Sequence, residues 1–346
     1  MSQQINALPI NGITIADLAL LVPGPGQFLE VGGATEGRID IDALAAYITA
    51  DLPSGGATVT TGNRIINGGM AIDQVNEGNA QSITAGAALA YTVDQWYAYA
   101  VGANVTGQRV QGVTEGRFRY RFTGASGCTG IGFGQRIEQL NSADLAGQTV
   151  TLSVDIANTL LTSVTWTVYY ATTADTFGTL ASPTKTQIAT GTFTVNNTVT
   201  RYSTQIPIPI EAVTGIEVLF AVGAQTSGTW TIGDVQLEKG ALFLPLFHPR
   251  LYPTELALCQ RHLEKSYAPG TAVGTPTAVY LAPLVMGAGQ SGSYYFASLS
   301  FAVKKRVQPV IQLWTYDGTA GRWHIGQLGF TETKEIPSAI YPTAAS

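Results

Sequence analysis

The chain has 346 residues, 45 % of them hydrophobic but only 12 % charged, with 39 glycines and a formal net charge of −5. That length holds two or three domains and a real core. The charged share is about half that of an ordinary soluble domain, so hydroxyls, amides and backbone must wet the surface, as in an extracellular or particle-bound β protein. No basic field is present to condense on phosphates, which argues against a nucleic-acid partner. The short run Lys304-Lys305-Arg306 reads as a solvated strand end.

Residues 1–52 read as a separate α+β module. M-S-Q-Q-I-N-A-L-P-I has neither the basic start nor the apolar core of a signal peptide. The stretch 13–22 is broken by Asp17 and stopped at Pro23, too short to insert in a membrane. Residues 28–31 and 38–41 form a predicted hairpin, after which Asp40 caps a helix with Ile41, Leu44, Ala45 and Ile48 on one stripe. So thin a stripe needs a partner to pack on, copies of itself included. P-S-G-G-A-T-V-T-T-G at 53–62 is a linker.

From 63 to 245 the pattern is of strands: 64–70, 91–100, 116–122, 132–137, 148–156, 163–171, 188–195, 199–206, 215–222 and 228–240. G-R-F-R-Y-R-F at 116–122 alternates most sharply, with Phe118, Tyr120 and Phe122 on one face and Arg117, Arg119 and Arg121 on the other. That arginine face is either a binding ridge or a solvated face matched by neighbouring strands. The segment N-S-A-D-L at 141–145 holds at most one helical turn, capped by Ser142. Strands without regular helices between them predict an antiparallel two-layer sandwich, an all-β jelly roll, rather than a βαβ sheet.

Pro253 opens a connecting helix within 246–270, with Leu256, Cys259 and Leu263 on one face. Residues 271–346 then read as a second, smaller β domain, with strands at 278–286, 293–303, 310–316 and 321–328. Asp317-Gly318 turns between the last two. Cys128 and Cys259 cannot form a disulfide framework and read as separately packed reduced thiols, a single bridge between them being the alternative.

The segment G-T-W-T-I-G-D-V-Q-L-E-K-G at 228–240 places Trp230, Ile232, Asp234, Gln236 and Glu238 on one parity and Thr231, Gly233, Val235 and Leu237 on the other. An acid at Asp234 among apolar neighbours needs backbone donors or a cation. Together with N-R-I-I-N-G-G-M-A-I-D-Q at 63–74, Y-T-V-D-Q-W-Y at 91–97 and T-E-L-A-L-C-Q-R at 254–261, this segment resembles phage virion proteins of the tail-fibre and minor-tail kind. Those carry a jelly roll similar to carbohydrate-binding modules. The resemblance covers roughly 63–316, with a different module of I-N-A-L-P, L-L-V-P and I-D-I-D-A-L-A-A-Y before it.

It implies a virion protein assembled in the host cytoplasm and exposed on the particle surface. The N-terminal module would bind other virion structural proteins, and the chain would self-associate as a homotrimer and contact host cell-surface polysaccharide. In such jelly rolls a carboxylate on the last strand often helps hold a structural calcium, which makes Asp234 the metal candidate; a carboxylate bonded to backbone N–H groups is the alternative. No other cofactor is implied. Where many relatives have a basic, aromatic stretch this chain has F-L-P-L-F-H-P-R at 243–250. Leu242, Phe243, Leu244, Leu246 and Phe247 are therefore candidate interface residues.

An enzyme is not expected. His248, His262 and His324 have no metal-ligand spacing, and no H-E-x-x-H or G-x-S-x-G run occurs. Asp234 and Glu238 on one strand would stand about 13 Å apart, beyond the about 5–9.5 Å between glycosidase carboxyls. Asp94 with Glu115 remains a pair that only the fold can judge. Binding needs less: aromatic planes and a few directed polar groups. Trp96, Tyr97 and Tyr99 form one cluster, in which Trp96 is expected in the core and Tyr97 and Tyr99 at the surface. In a second, Tyr170 and Trp166 oppose Tyr169. Trp314, Tyr316 and Trp323 surround the turn at Asp317-Gly318 as a tip. Tyr97, Tyr99, Trp314, Tyr316 and Trp323 are thus the candidate ligand-binding residues. Three functions remain open: a glycan-contacting fibre protein, a non-binding decoration or connector of capsid or baseplate, and a glycan-degrading tail protein.

Overall fold

The structure, a computed structural model, describes residues 62–112, 117–240, 246–276, 300–314 and 317–320. It also gives the backbone of short strands outside them. Two compact units emerge, Met1–Thr60 and Thr61–Ser346. In the first, Phe28–Val31 pairs antiparallel with Gly37–Asp40, the predicted hairpin, and Pro9–Ile10 pairs with Ile13–Thr14. The helix expected after Asp40 lies outside the described residues.

Twelve strands make up the body of the second unit. They are β1 (Gln81–Ile83), β2 (Ala90–Tyr91), β3 (Trp96–Val101), β4 (Val105–Gln111), β5 (Phe118–Thr123), β6 (Gly130–Ile137), β7 (Thr149–Asn158), β8 (Ser163–Ala171), β9 (Lys185–Thr194), β10 (Thr200–Pro207), β11 (Ile216–Val222) and β12 (Thr229–Lys239). Sheet I runs in the order β9-β8-β11-β6-β3-β2, and sheet II in the order β10-β7-β12-β5-β4-β1. Strand pairs within both are antiparallel. The all-β sandwich of two six-stranded antiparallel sheets is thus the predicted architecture.

Alternation explains why these segments pair. Trp96, Ala98 and Ala100 on β3, Ile131 and Phe133 on β6, and Tyr120 and Phe122 on β5 all point into one core. There Trp96 stacks on Phe133 at 4.6 Å, Phe133 on Tyr120 at 5.3 Å, and Phe122 on Trp230 at 5.1 Å. Full burial of such side chains contributes about 1.5–3 kcal/mol each. Strands β1 and β4 carried no such signal. V-T-G-Q-R-V-Q is mostly polar, and Gly107 stands where a side chain would collide with the Tyr120 ring.

Several expectations are corrected. Residues 64–70 form tight turns, with Asn67 and Met70 at φ 55° and 53°. After the single turn α1 (Gln139–Ser142), Ser142 takes the expected N-cap position of the 3-10 turn Ala143–Leu145, but without a capping bond: its hydroxyl donates to the Glu138 carbonyl instead. The connecting helix α2 (Tyr252–Gln260) ends before Leu263, which is exposed, while Leu256 and Cys259 pack with Ile66 and Ile72. Cys128 sits in the main core, so the two buried thiols occupy separate clusters.

Lys304-Lys305-Arg306 is no strand end. Lys305 donates to Glu264 and the Gln260 carbonyl, and Arg306 pairs with Glu138 and Asp175. Beyond α2, the backbone pairs Gly289–Ser291 with Tyr294–Phe296 and Arg322–Gln327 with Phe330–Glu335. Residues 310–314 carry a single bridge, Trp314 to Ala320, across the turn at Gly318 (φ 84°). The strand expected at 278–286 lies outside the described residues.

Candidate functional site

The N-terminal motif of the sandwich is a fastener. Asn63 donates to the Val235 carbonyl and accepts from the Ile65 and Leu237 N–H groups. Gln135 exchanges two hydrogen bonds with the Ile66 backbone, both 2.7 Å. The Asn67 side chain ties Ile72 and the Asp94 carbonyl, while the Asn67 main-chain carbonyl accepts from the Trp96 indole. Gly68 lies so close to β12 that any Cβ would strike the Val235 carbonyl oxygen. From α2, Glu255 accepts the Asn67 N–H and pairs with Arg250, which also binds the Asn63 and Ile65 carbonyls. All four quoted stretches, 63–74, 91–97, 230–240 and 254–261, meet here.

Asp234 is a bulge on β12 (φ 51°), where the register with β7 shifts between Ser153 and Asp155. One extra residue flips the parity: Trp230 and Ile232 face inward before it, Val235 and Leu237 after it. The single-face assignment of Trp230, Ile232, Asp234, Gln236 and Glu238 is therefore corrected. Asp234 meets side-chain cations rather than backbone donors, with Arg117 at 3.2 Å and Arg119 at 3.6 Å. Burial, then the Asp155 charge, raise its carboxyl against the pull of those arginines.

Two guanidiniums in the first contact layer do not suit a calcium ion, which takes six to eight oxygens. Among the described residues no group of three His, Cys, Asp or Glu side chains could hold a metal. Two of the three ridge arginines, Arg117 and Arg119, are likewise spoken for, whereas Arg121 has no ion-pair partner among the described residues. Arg119 is buried and pairs with Asp155, and Arg201 spans Asp155, Ser153, the Asp234 carbonyl and Gln236. On the outer face of sheet II, Arg117, Arg119 and Arg201 thus pair with Asp155 and Asp234. Asp94 is consumed by the Gln74 N–H and amide, and Glu115 lies outside the described residues.

Sheet I is different. Between β3 and β11, strand β6 presents Gly132 and Gly134 outward, opposite Tyr99 and Tyr97. A Cβ at either glycine would collide with the facing tyrosine, so both rings lie down across the sheet. Tyr97, expected at the surface, is buried beneath this layer at 2 % exposure, and its hydroxyl donates to Glu217 at 2.7 Å. Burial, then the Glu217 charge, hold that phenol well above its usual range. Glu217 itself is fully buried and also takes Arg136 at 2.9 Å and Lys185.

Tyr99 and Tyr169 remain half-exposed, and Tyr91, paired with Tyr97 on the edge strand, is 63 % exposed. Burial, then Tyr169 and Glu217 nearby, raise the Tyr99 phenol. Neither the Tyr99 nor the Tyr169 hydroxyl has a hydrogen-bond partner among the described residues. The predicted opposition of Tyr169 to Trp166 and Tyr170 holds, since the latter two pack toward the core. Tyr91 and Tyr169 were not singled out as ligands from sequence, because only the pairing of β2 with β3, and of β8 through β11 and β6 to β3, brings them beside Tyr97 and Tyr99.

The other candidates are dispersed. Trp314 packs over Gly274 (φ 77°); Tyr316 lies outside the described residues, as do the side chain of Trp323 and the residues Leu242, Phe243 and Leu244. Phe247 is buried against Gly69 and beneath Arg117, whereas Leu246 is exposed. Among the described residues no helix is long and apolar enough to cross a membrane.

The fold defines an all-β, jelly-roll-like sandwich with one short helical appendage. No protein-family model matches the chain, and no curated protein matches it. Among solved structures it is distantly similar to the enzymatically active domain of bacteriophage CBA120 tailspike protein 4, at 18 % identity and TM-score 0.32. That match covers 52 % of this chain and 22 % of the other, so the chain spans about a fifth of the tailspike's length. A CBM4 structure matches at 18 % identity and TM-score 0.32, covering 50 % and 98 % of the respective chains. TmCBM61 in complex with beta-1,4-galactotriose matches at 11 % and 0.30, covering 51 % and 99 %.

Proposed function

We propose that this chain is a virion structural protein, tail-fibre or tail-associated, whose sandwich contacts host-surface glycans on the outer face of sheet I without cleaving them. Residues 1–52 attach it to other virion proteins and the chain works as a homotrimer. What carries the reading is the tyrosine floor. The Tyr99 ring laid flat over Gly132 supplies a plane for a sugar face, bedded on the buried Tyr97 over Gly134, and the free Tyr99 and Tyr169 hydroxyls supply directed hydrogen bonds. Glu217 is saturated by three donors, which suits it to fixing the floor and not to proton transfer.

Glycan-array binding and whole-cell adsorption of the full chain test the reading, with Tyr99→Ala/Tyr169→Ala as comparison. Binding that falls at least tenfold in the variant supports it; equal binding, or release of sugar fragments, rejects it. A connector role is the second reading, favoured by Leu246 and Leu251 standing 68 % and 79 % exposed. Absence of all glycan binding together with concentration-dependent assembly would select it.

A further inference from the structure

A cavity of about 350 Å³ lies where the fastener, the end of β4, the start of β5 and α2 converge. Helix α2 has two working faces. Glu255 and Cys259 face the fastener, whereas Tyr252, Leu256 and Gln260, spaced four apart, line the cavity. Phe118 and Arg109 also line it, the Arg109 guanidinium lying 4.5 Å over the Phe118 ring.

The charges around this cavity cancel in pairs. Arg109 stands 3.6 Å from Asp73, and Lys265 pairs with Glu77. Asp73 also accepts the Asn76 and Gly78 N–H groups. A charged ligand would find each counter-ion already engaged. By contrast, the Tyr252 and Tyr267 hydroxyls and the Gln260 amide have no side-chain hydrogen-bond partner among the described residues. The lining thus offers aromatic planes and uncommitted neutral donors and acceptors around a balanced rim. The volume is at the small end of the about 300–1,000 Å³ typical of ligand sites, suited to a ring or two rather than a polymer.

We propose that this cavity is a second saccharide site, separate from sheet I, taking a neutral pyranose unit held by Tyr252, Gln260 and Tyr267. It is a pocket for a chain end or branch, where the tyrosine floor is a plane for a chain's length.

Calorimetric titration of the full chain with D-galactose, D-glucose and N-acetyl-D-glucosamine tests it, with D-galacturonate, D-glucuronate and D-glucosamine as their respective charged counterparts. At least one neutral sugar should bind, more tightly than its charged counterpart. Gln260→Ala and Tyr267→Ala should each weaken that binding at least tenfold, and Tyr99→Ala should leave it unchanged. Absence of binding by all three neutral sugars overturns the proposal, as does binding that survives both cavity variants, is lost in Tyr99→Ala, or favours the charged sugars. Circular dichroism checks that the variants fold. Should either not, Tyr252→Ala, at a half-exposed position, takes its place with the same expected loss. Polysaccharide adsorption on the Tyr99/Tyr169 face is read separately, so either site can fail while the other stands.

Discussion

The Asn67 main-chain N–H donates to Glu255 Oε1 at 2.6 Å, across 188 residues of sequence. That bond locks the left-handed Asn67 to the helix, and Arg250 completes the triangle at 3.0 Å from the same oxygen. Glu255→Ala would leave a buried N–H without an acceptor and a partly buried guanidinium without its anion. Removing one member of such a set costs about 3–5 kcal/mol where the pair is buried, and about 1–3 kcal/mol for an orphaned donor. Since the Arg250 side chain is 23 % exposed, a loss of about 2–4 kcal/mol is expected in urea unfolding. Glu255→Gln, which keeps an acceptor, should lose less.

Gly132→Ala separates the tyrosine floor from the fold. The new Cβ meets the far end of the Tyr99 ring rather than backbone, so the ring is lifted while β6 keeps its pairing. Glycan affinity should fall about tenfold, equivalent to about 1.4 kcal/mol, with stability changed by about 1 kcal/mol or less. Gly134→Ala should behave differently, because there the Cβ also sits 2.8 Å from the Val218 carbonyl. A larger drop in melting temperature is expected for it. Equal effects of the two substitutions on stability would count against this geometry.

Acid sensitivity should reside in Glu138. Burial pushes its carboxyl up, but hydrogen bonds and charge from His262 and Arg261 outweigh that and bring it to about 2. A carboxyl depressed in the folded state contributes its stability above its ordinary value of 4.5 and loses it as pH falls toward 2. Asp73, Asp94 and Glu238 are raised chiefly by burial, so they bind protons more readily folded than unfolded and do not add to acid loss. Unfolding followed from pH 5 to pH 2 should show a decline in the native chain. Glu138→Gln should be less stable at pH 7 and flatter over that window. A parallel decline in both proteins would assign the loss elsewhere.

Alternation made most of the sandwich legible: Phe118, Tyr120 and Phe122 announce their inward face from spacing alone, and β8 falls on the predicted residues 163–171. What spacing could not reveal is whatever depends on one extra residue or on a distant partner. The bulge at Asp234 reverses the inward parity, and nothing local in I-G-D-V signals it. N-R-I-I-N-G-G-M has the apolar content of a strand, but its polar groups are satisfied by Gln135, Val235 and Glu255 far along the chain. The surface placement of Tyr97 followed its parity correctly but missed its burial, because Arg136 and Lys185 converge on Glu217 from other strands. The tyrosine floor needs the pairing of β3 with β6, a register that the sequence alone does not state.

The two thiols offer a last check on how the helix sits. Cys259 is fully buried on the fastener side of α2, and burial, followed by the nearby Asp94 and Glu255 charges, pushes its thiol far up. Only a thiolate attacks a disulfide reagent, so Cys259 should be silent toward Ellman's reagent in the native protein. Cys128, 1 % exposed in the main core, should be shielded by packing. Both should react in 6 M guanidinium. In Glu255→Ala, where α2 loses its tie to Asn67, Cys259 should react at least tenfold faster while Cys128 keeps its native rate. Equal acceleration of both thiols would mean that helix and sandwich open as one unit, against a local role for the Asn67–Glu255 bond.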